Sequence, residues 1–424
     1  MRYTPVEDTG IQGVTAATAA APQYAPGWRK WVPSTAMMLS GILSYMDRQT
    51  LAVLSPMILA DTHLTTETYA TALSIFSILY MIGNPIWGSL LDFIGMRIGM
   101  YWALAVRTLA TASHAGLSGF VGFSVARGVL GFGEGSVFPA ALKAAADSLP
   151  PNRQARGMAV GYSGASLGAL ITPLIVIPFA IRFGWRSAFL FTASLGLCWI
   201  VMWAIIARPP YLREHKRELK KLAWPNLMER RLWLVVSSFG LGAVALGVVS
   251  YLSALYLNRA LGVSQAQLGA ILWIPFIGWE IGYYFWGWIA DLFVVRGKRP
   301  SGLFILLAVL AFPIAFMTWT HSWVIALLQF FWALFIADGY VVLSLRVGSH
   351  LYPRGQTAMV AGIGSGAWSA VLAAVLPVYG RWFDLQWYNA TFVSMALLPL
   401  AGTLIWLWLS RPEALWREAA ERVD

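Results

Sequence analysis

Long apolar segments recur along almost the whole of this 424-residue chain. Hydrophobic residues make up 58% of the sequence and charged residues only 12%, about half the charged share of an average soluble protein. A helix that crosses a bilayer needs about 20 mostly apolar residues. The sequence therefore predicts an all-α membrane protein and argues against a nucleic-acid module. Twelve candidate spans can be marked, at residues 31–60, 67–93, 98–118, 121–149, 155–182, 186–207, 231–258, 265–294, 301–319, 323–349, 356–382 and 388–410.

Positive charge is distributed unequally among the connections between these spans. The chain has 30 Lys and Arg residues against 19 Asp and Glu residues, a net charge of +11. With both termini on one side, 21 of the 30 basic residues fall on that side, four on the other and five within spans. Because basic connections remain in the cytoplasm, we expect cytoplasmic termini and a location in a bacterial inner membrane.

The longest connection divides the spans into two sets of six. We expect residues 31–208 and 231–410 to form two six-helix bundles, joined by a basic cytoplasmic linker at 209–230 that contacts anionic lipid. Residues 1–30 are polar and lack the pattern of a signal peptide, so they predict a disordered cytoplasmic tail. Residues 411–424 form a second tail. We expect a monomer whose surroundings are the lipid bilayer.

An internal repeat relates the two halves. The sequence Y-M-I-G-N-P-I-W-G-S-L-L-D at 80–92 matches W-E-I-G-Y-Y-F-W-G-W-I-A-D at 279–291 with a constant offset of 199 residues. Two homologous halves are typical of rocking secondary transporters. We expect Gly88 and Gly287 to allow close helix approach. Asp92 and Asp291 can pair with a basic residue or cap a helix across the interface. With Arg97, these four residues form the predicted gate.

A compact set of charges lies inside spans 1 and 4. Placing a charge at the bilayer centre costs roughly 2.5–3.5 kcal/mol, so such residues must pair or line a wet cavity. Asp47 and Arg48 lie in span 1, and Arg127 and Glu134 lie seven residues apart in span 4. The set is neutral when all four are ionised and positive when one acid is protonated. This arrangement suits proton-coupled binding of an anion by arginine, whereas a purely structural salt-bridge network is the alternative.

Five further charged positions are less constrained by the pattern. Glu280, in the middle of span 8, either faces the same cavity and takes part in proton coupling or packs elsewhere. Asp338 and Arg346 are eight residues apart in span 10, which favours a structural pair. Lys143 either pairs with Asp147 or neutralises the end of the pathway. Arg107, in span 3, has no predicted role.

The motifs resemble those of known transporters. G-x-x-x-D-x-x-G-x-R, represented here by Gly88, Asp92, Gly95 and Arg97, resembles the loop motif of the major facilitator superfamily. Within that superfamily the chain is similar to the anion:cation symporter family, in its hexuronate- and galactonate-transporter-like group. Four stretches carry this resemblance, S-Y-M-D-R-Q-T-L-A-V-L-S-P (44–56), A-R-G-V-L-G-F-G-E-G-S-V-F-P-A-A-L-K (126–143), G-W-R-S-A-F (184–189) and W-I-P-F-I-G-W-E-I-G (273–282).

The resemblance implies the major facilitator fold, twelve helices in two pseudo-symmetric halves, and proton-coupled import of organic anions. It implies that Arg127 meets the substrate carboxylate, that Asp47 and Glu134 carry protons, and that Arg48 modulates the first of them. Tyr45 and Tyr80 match aromatic hydroxyl positions near the substrate, although plain packing is an alternative for both.

The chain departs from that group at amide positions. Val137 replaces an asparagine in span 4, and the stretch G-I-G-S-G-A-W-S (362–369) offers Ser365 and Trp368 where span 11 usually carries asparagines. Fewer amides leave fewer partners for sugar hydroxyls, which favours a flatter or more apolar acid.

The sequence thus predicts a proton symporter that imports a small organic anion, a sugar acid or another monocarboxylate, by alternating access. An organic-acid exporter or antiporter and a non-transporting anion sensor remain alternatives. No nucleotide-binding, metal-ligand or nucleophile–base pattern is found in the sequence, so we expect no cofactor, no metal and no enzymatic activity.

Overall fold

The computed structural model describes residues 25–208, 211–212, 225–295, 300–352 and 354–411. Most of the predicted tails and of the basic linker therefore lies outside the described residues. The described chain is helical: α1 Val32–Val53, α2 Ser55–Thr62, α3 Thr66–Ile94, α4 Met96–Ser113, α5 Phe120–Glu134, α6 Val137–Ser148, α7 Pro151–Tyr162, α8 Gly164–Phe183, α9 Trp185–Ile206, α10 Arg230–Gly242, α11 Val244–Arg259, α12 Gln265–Ile271, α13 Ile274–Val295, α14 Ser301–Leu310, α15 Trp323–Leu351, α16 Arg354–Asp384 and α17 Tyr388–Leu409, with short 3-10 helices at Gly27–Trp31, His114–Gly116 and Phe312–Trp319.

These helices follow the predicted spans in chain order, and the all-helical fold is confirmed. Several spans consist of two consecutive helices with a short break between them, as in α1–α2, α5–α6 and α10–α11. Pro56 stands in the first turn of α2, where a residue without an N–H can begin a helix but not continue one. Such breaks free backbone groups inside the bundle, and side chains use them, as described below.

The apolar character of the spans is not uniform. Nine helices of the described chain are long and apolar enough, by length and composition, to cross a membrane. The remaining helical segments, α1–α2, α4 and α5–α6, carry the buried charges of the first half. Because charged groups in a bilayer must face the protein interior or water, these segments are the candidates for lining a polar site.

The internal repeat has a structural counterpart. Trp87 donates its indole N–H to the carbonyl of Phe132 at 2.8 Å, and its repeat partner Trp286 donates to the carbonyl of Phe335 at 2.9 Å. A Cβ on Gly83 would lie 2.6 Å from the carbonyl oxygen of Phe132. These equivalent contacts join the second and fourth helical segments of each half, so the sequence repeat encodes a packing unit.

Apolar cores show how the two halves meet. One cluster, which includes Met100 and Trp203, lies within α1–α9, and another, which includes Leu303 and Trp406, lies within α10–α17. Both belong to the end of the bundle where α3 and α13 terminate, which we call the basic face. The largest cluster joins both halves and extends to the other end, where α2 and α16 terminate, which we call the opposite face.

Polar contacts also join the halves at the opposite face. The carboxylate of Asp384, at the end of α16, accepts hydrogen bonds from the backbone N–H groups of Thr66 and Glu67, both at 2.9 Å. The guanidinium of Arg259 lies 3.6 Å from the same carboxylate and 2.6 Å from the hydroxyl of Thr66. Because the first turn of a helix presents free N–H groups and a partial positive charge, Asp384 caps α3 across the interface.

Candidate anion-binding site

Arg48 is held at the centre of the first half by one carboxylate and three rings. Its Nη2 and Nε donate to Oε2 of Glu134 at 2.8 and 3.1 Å. The rings of Tyr45, Phe76 and Tyr80 have their centroids 4.7–4.8 Å from its Cζ. Cation–π contacts add to the ion pair in such a desolvated place. The structure therefore brings Arg48 and Glu134 into contact, and both tyrosines contact Arg48.

Asp47 pairs with an arginine outside the predicted set of four charges. Its Oδ2 lies 3.3 Å from Nε of Arg107, and Nη1 of Arg107 donates to the backbone carbonyl of Ser40 at 3.2 Å. Arg107 lies on α4, and both side chains of the pair are buried. Arg107, which the sequence left without a role, is thus the counter-charge of a predicted proton carrier.

Arg127 stands apart from both pairs. Its side chain is fully buried, its Cζ lies 5.9 Å from the centroid of the Phe76 ring, and its Nη2 donates a long hydrogen bond of 3.4 Å to the carbonyl oxygen of Arg48. Among the described residues, its Nε and Nη1 have no hydrogen-bond partner. Buried arginine nitrogens are normally hydrogen-bonded, so this guanidinium is a vacant donor fork of the shape that carboxylates bind.

The charge of the cluster requires a correction. Asp47, Arg48, Arg127 and Glu134 were expected to form a neutral set, but Arg107 belongs to it as well. With every group ionised, two acids and three arginines sum to +1. A monoanion bound there would therefore neutralise the cluster without any proton.

Glycines explain how α5 brings its charged residues so close to α3. A Cβ on Gly135 would lie 2.6 Å from both the backbone nitrogen of Asn84 and the backbone carbon of Gly83. Only glycine permits backbones to approach so closely. The G-x-G-x-G stretch at 131–135 thus serves helix packing, and Glu134 ends α5 at the point of closest approach.

The second half contributes aromatic groups to the same region. The rings of Trp279 and Tyr45 lie 5.6 Å apart, and the hydroxyl of Tyr69 donates to the backbone carbonyl of Tyr251 at 3.0 Å. Tyr251 was not singled out from the sequence. A hydroxyl in an apolar span was the available signal, but sixteen tyrosines in the chain make that signal weak.

Trp368 and Ser365 of α16, which occupy positions where the family usually carries asparagines, have different surroundings. The indole N–H of Trp368 donates to the carbonyl oxygen of Ala243 at 2.9 Å, at the break between α10 and α11. That bond fixes the ring as part of the fold. Ser365 lies half-buried one turn earlier. Glu280 is also half-buried, on α13.

The predicted gate residues are paired within their own halves. Asp92 accepts from Lys143 at 2.8 Å, and Asp291 lies 3.6 Å from Arg346. Of the two alternatives for Lys143, the pairing with Asp147 is present at 3.9 Å, beside its shorter contact with Asp92. The backbone carbonyl of Arg97 accepts from Trp203 at 3.2 Å.

Two expectations at this face are wrong. Among the described residues, a Cβ on Gly287 would meet nothing within 4 Å, and one on Gly88 would make only ordinary contact with Pro139. The close approaches are made instead by Gly83 and its repeat partner Gly282. These two glycines lie five residues before Gly88 and Gly287, and hence on another side of the helix.

The expected pair between Asp338 and Arg346 does not form. Residues eight apart in one helix are separated by about 12 Å along its axis, which is beyond the reach of an ion pair here. Arg346 turns to Asp291. Asp338 is fully buried, and its two oxygens have no hydrogen-bond partner of ordinary geometry among the described residues.

The G-W-R-S-A-F stretch proves to be an anchor at the opposite face. Gly184 has a φ of 85°, a conformation that favours glycine, and it separates α8 from α9. The next two residues, Trp185 and Arg186, donate to Oδ2 of Asp61 at 3.2 and 2.6 Å. This stretch therefore ties α2 to α9, away from the cluster.

Comparison with known proteins agrees with this architecture. The family model described as Major Facilitator Superfamily matches residues 37–377. The hexuronate transporter of Escherichia coli is 25% identical, covering 91% of this chain and 95% of its own length. The galacturonate transporter of Dickeya chrysanthemi is 26% identical, covering 62% and 82%. A solved bacterial homologue of the human lysosomal transporter Spinster shares the fold, with a TM-score of 0.70 at 14% identity over 94% of this chain and 98% of its own. The chain belongs to the major facilitator superfamily.

Proposed function

We propose that the protein is a secondary transporter that carries a small organic monoanion across the membrane together with protons. The observation that carries the proposal is Arg127, a buried guanidinium with two nitrogens that find no hydrogen-bond partner in the described part of the chain. A carboxylate of the substrate would supply them through two parallel hydrogen bonds. Relatives named as transporters of hexuronates and galacturonate support an organic acid as the cargo.

Proton coupling follows from competition for Arg48. Glu134 accepts hydrogen bonds from two nitrogens of this arginine and lies on the helix that carries Arg127. Protonation of Glu134 removes its charge and weakens its grip on Arg48. Arg48 can then turn to a carboxylate bound at Arg127. Loss of the proton restores the ion pair and displaces the substrate.

Asp47 and Glu280 are the other proposed proton carriers. The ion pair with Arg107 favours the ionised form of Asp47, while burial favours the neutral form. A proton on Asp47 would release Arg107 as Glu134 releases Arg48. Tyr45 and Tyr80, whose rings lie on Arg48, would contact the substrate, with Ser365 and the ring of Trp368 completing the site from the second half.

In the proposed transport cycle, the contacts that join the two halves would form alternately at the opposite face and at the basic face. The halves contact each other at the opposite face through Asp384 and its cap on α3. At the basic face, Asp92 and Asp291 pair within their own halves. With the basic face in the cytoplasm, as the distribution of Lys and Arg predicts, this is an inward-facing arrangement. In the outward-facing arrangement, Asp92 and Asp291 would instead contact partners in the other half.

Transport into liposomes tests the proposal. Purified protein is reconstituted, a pH gradient (acid outside) is imposed, and uptake of labelled D-glucuronate, D-galactonate and benzoate is measured separately. We expect at least one of these acids to accumulate above its level in protein-free liposomes under the same gradient, and a protonophore to abolish the excess. Binding of all three without any uptake would contradict transport and favour the sensor. Efflux driven by an opposite gradient would favour the exporter or antiporter.

A further inference from the structure

Gln49 follows Arg48 directly in α1, and only 1% of its surface is exposed. Neither its amide nitrogen nor its amide oxygen has a hydrogen-bond partner among the described residues. Because both atoms lack a partner, this observation does not depend on which of the two is assigned as the nitrogen. Buried polar side chains are normally hydrogen-bonded, so this amide offers a ligand both a donor and an acceptor.

Contacts one turn away on either side show which way Gln49 faces. Tyr45, four residues before it, has its ring 5.6 Å from that of Trp279 in the second half. Val53, four residues after it, accepts a hydrogen bond of 2.7 Å at its carbonyl oxygen from Gln265, the first residue of α12. Residues four apart share one face of a helix. Gln49 therefore lies on the face of α1 that is turned toward the second half, between these two contacts.

Helix α8 borders this amide within the first half. A Cβ on Gly164 would meet the carbonyl oxygen of Met38, and one on Gly168 would lie 2.5 Å from that of Ile42. The two helices thus run parallel in contact, and Thr172 lies level with the turn of α1 that carries the amide. The hydroxyl of Thr172 donates to the carbonyl oxygen of Gly168 at 2.6 Å. This hydroxyl is therefore bound to its own helix and does not pair with the amide.

Arg127 reaches the same part of α1. Its Nη2 donates to the carbonyl oxygen of Arg48 at 3.4 Å, and that carbonyl belongs to the peptide unit that joins Arg48 to Gln49. Arg127 and Gln49, which both carry polar atoms without partners among the described residues, are therefore near neighbours. A carboxylate accepts the hydrogen bonds that Arg127 can donate, whereas a hydroxyl both donates and accepts and so matches an amide.

We propose that Gln49 is a specificity-determining residue of the anion site, and that its amide binds a hydroxyl group of the acid whose carboxylate binds Arg127. The proposal rests on the transport function proposed above and adds a residue that the sequence left without a role. A second carboxylate would satisfy the amide nitrogen but would bring its charge against the amide oxygen. The class of ligand that fits is therefore a hydroxylated monocarboxylate, rather than the more apolar acid that the sequence favoured.

Calorimetric binding to the purified full chain in detergent tests the proposal with two acids of equal length. D-Galactonate and hexanoate are both six-carbon monocarboxylates, and only the first carries hydroxyl groups. We expect the wild type to bind D-galactonate more tightly than hexanoate. Gln49→Met should weaken the binding of D-galactonate by about tenfold or more, because a hydrogen-bonded group is lost, and should change that of hexanoate by less than about twofold. Unchanged affinity for D-galactonate, or equal losses for both acids, would overturn the proposal.

Thermal stability separates recognition of a ligand from packing. Methionine has nearly the volume of glutamine and no amide, so ligand-free Gln49→Met should melt at or above the temperature of the wild type. A lower melting temperature would show that the amide serves the fold and would overturn the proposal. Gln329→Met, on α15, is the matched control and should leave the affinity for D-galactonate unchanged, since the amide of Gln329 donates to the carbonyl oxygen of Pro313 at 3.4 Å.

The wild type alone distinguishes failure of this inference from failure of transport. Binding of benzoate or hexanoate as tight as that of D-galactonate would overturn hydroxyl recognition by Gln49. That result would leave transport of an organic acid, measured in liposomes, as it stands. Selective loss of D-galactonate binding in Gln49→Met would support the inference whatever the direction or coupling of transport.

Discussion

Glu134 and Arg48 form a buried ion pair, with 2.8 Å between Oε2 and Nη2, although Glu134 shares its helix with Arg127. Seven residues of helix place Arg127 and Glu134 about 10 Å apart along the axis, so Glu134 satisfies Arg48 and leaves Arg127 vacant. We therefore expect substitutions of Arg127 and of Arg107, two arginines inside predicted spans, to change the stability of the protein in opposite directions.

Arg127→Met should raise the thermal stability of the substrate-free protein and abolish anion binding. A buried charge without partners is destabilising, and an apolar side chain of similar volume is often neutral or better by about 1–4 kcal/mol. Tryptophan fluorescence in detergent, with and without D-glucuronate, measures both effects. Arg182→Met, at an exposed position, is the matched control. A lowered melting temperature, or a retained ligand-induced shift, would speak against the vacant donor fork.

Arg107→Met should lower the stability of the protein, in contrast to Arg127→Met. It leaves Asp47 buried and unpaired, a loss of roughly 3–5 kcal/mol where one member of a buried pair is removed. Adding Asp47→Asn should recover most of that stability, because the orphaned charge disappears. A double-mutant cycle in chemical denaturant gives the coupling energy. Additive effects of the two substitutions would show that the 3.3 Å pair carries no coupling.

Asp384→Ala should open the opposite face. The substitution removes two hydrogen bonds to the first turn of α3, which join the halves. It also removes the ion-pair partner of Arg259, which lies in the same half as Asp384. Spin labels at Val121 and Trp319, both exposed at this face, report the separation after the native Cys198 is replaced by serine. We expect longer distances in Asp384→Ala than in the parent.

Asp61→Ala provides the control for that experiment. Asp61 forms an ion pair of 2.6 Å at the same face, but its partner Arg186 belongs to the same half. Removing it should leave the distance distribution unchanged. If both variants, or neither, widened the distribution, the cap of Asp384 on α3 would not be what holds this face closed.

The folding pattern could be predicted from the sequence to a considerable depth. The all-helical membrane fold, the repeated packing unit and the meeting of spans 1 and 4 follow from apolar length, a 199-residue repeat and charges that a membrane tolerates only when they converge. The partner of Asp47 could not be predicted in this way, because Arg107 reaches it from another helix. Pairing across helices depends on how each helix is rotated about its axis and how deep it lies in the membrane. The local sequence pattern determines neither.

The errors have the same origin. Asp338 and Arg346 suggested a pair because both lie in one span, but the rise of a helix separates them too far. Gly88 and Gly287 were the most visible glycines of the repeat, yet Gly83 and Gly282 make the close contacts. Which glycine faces a neighbour depends on the turn of the helix toward it, and only the packed structure reveals that.

Asp61 should make stability depend on pH at the acid end. Hydrogen bonds from Arg186 and then Trp185 lower the pKa of Asp61, so the folded state favours the carboxylate. Its contribution is present above the unfolded pKa of about 3.9 and is lost as the pH falls through the lower, folded value. The melting temperature of Asp61→Asn should therefore lie below that of the wild type at neutral pH, and the gap should narrow in acid. A gap independent of pH would contradict this assignment.

Glu134→Gln tests the central claim most directly. Glutamine can still accept a hydrogen bond from Arg48 but cannot take up and release a proton. In liposomes loaded with an acid that the wild type transports, we predict that the variant exchanges labelled for unlabelled substrate yet fails to accumulate it against a gradient when pH is the driving force. Accumulation by Glu134→Gln equal to that of the wild type would contradict competition between Glu134 and the substrate for Arg48.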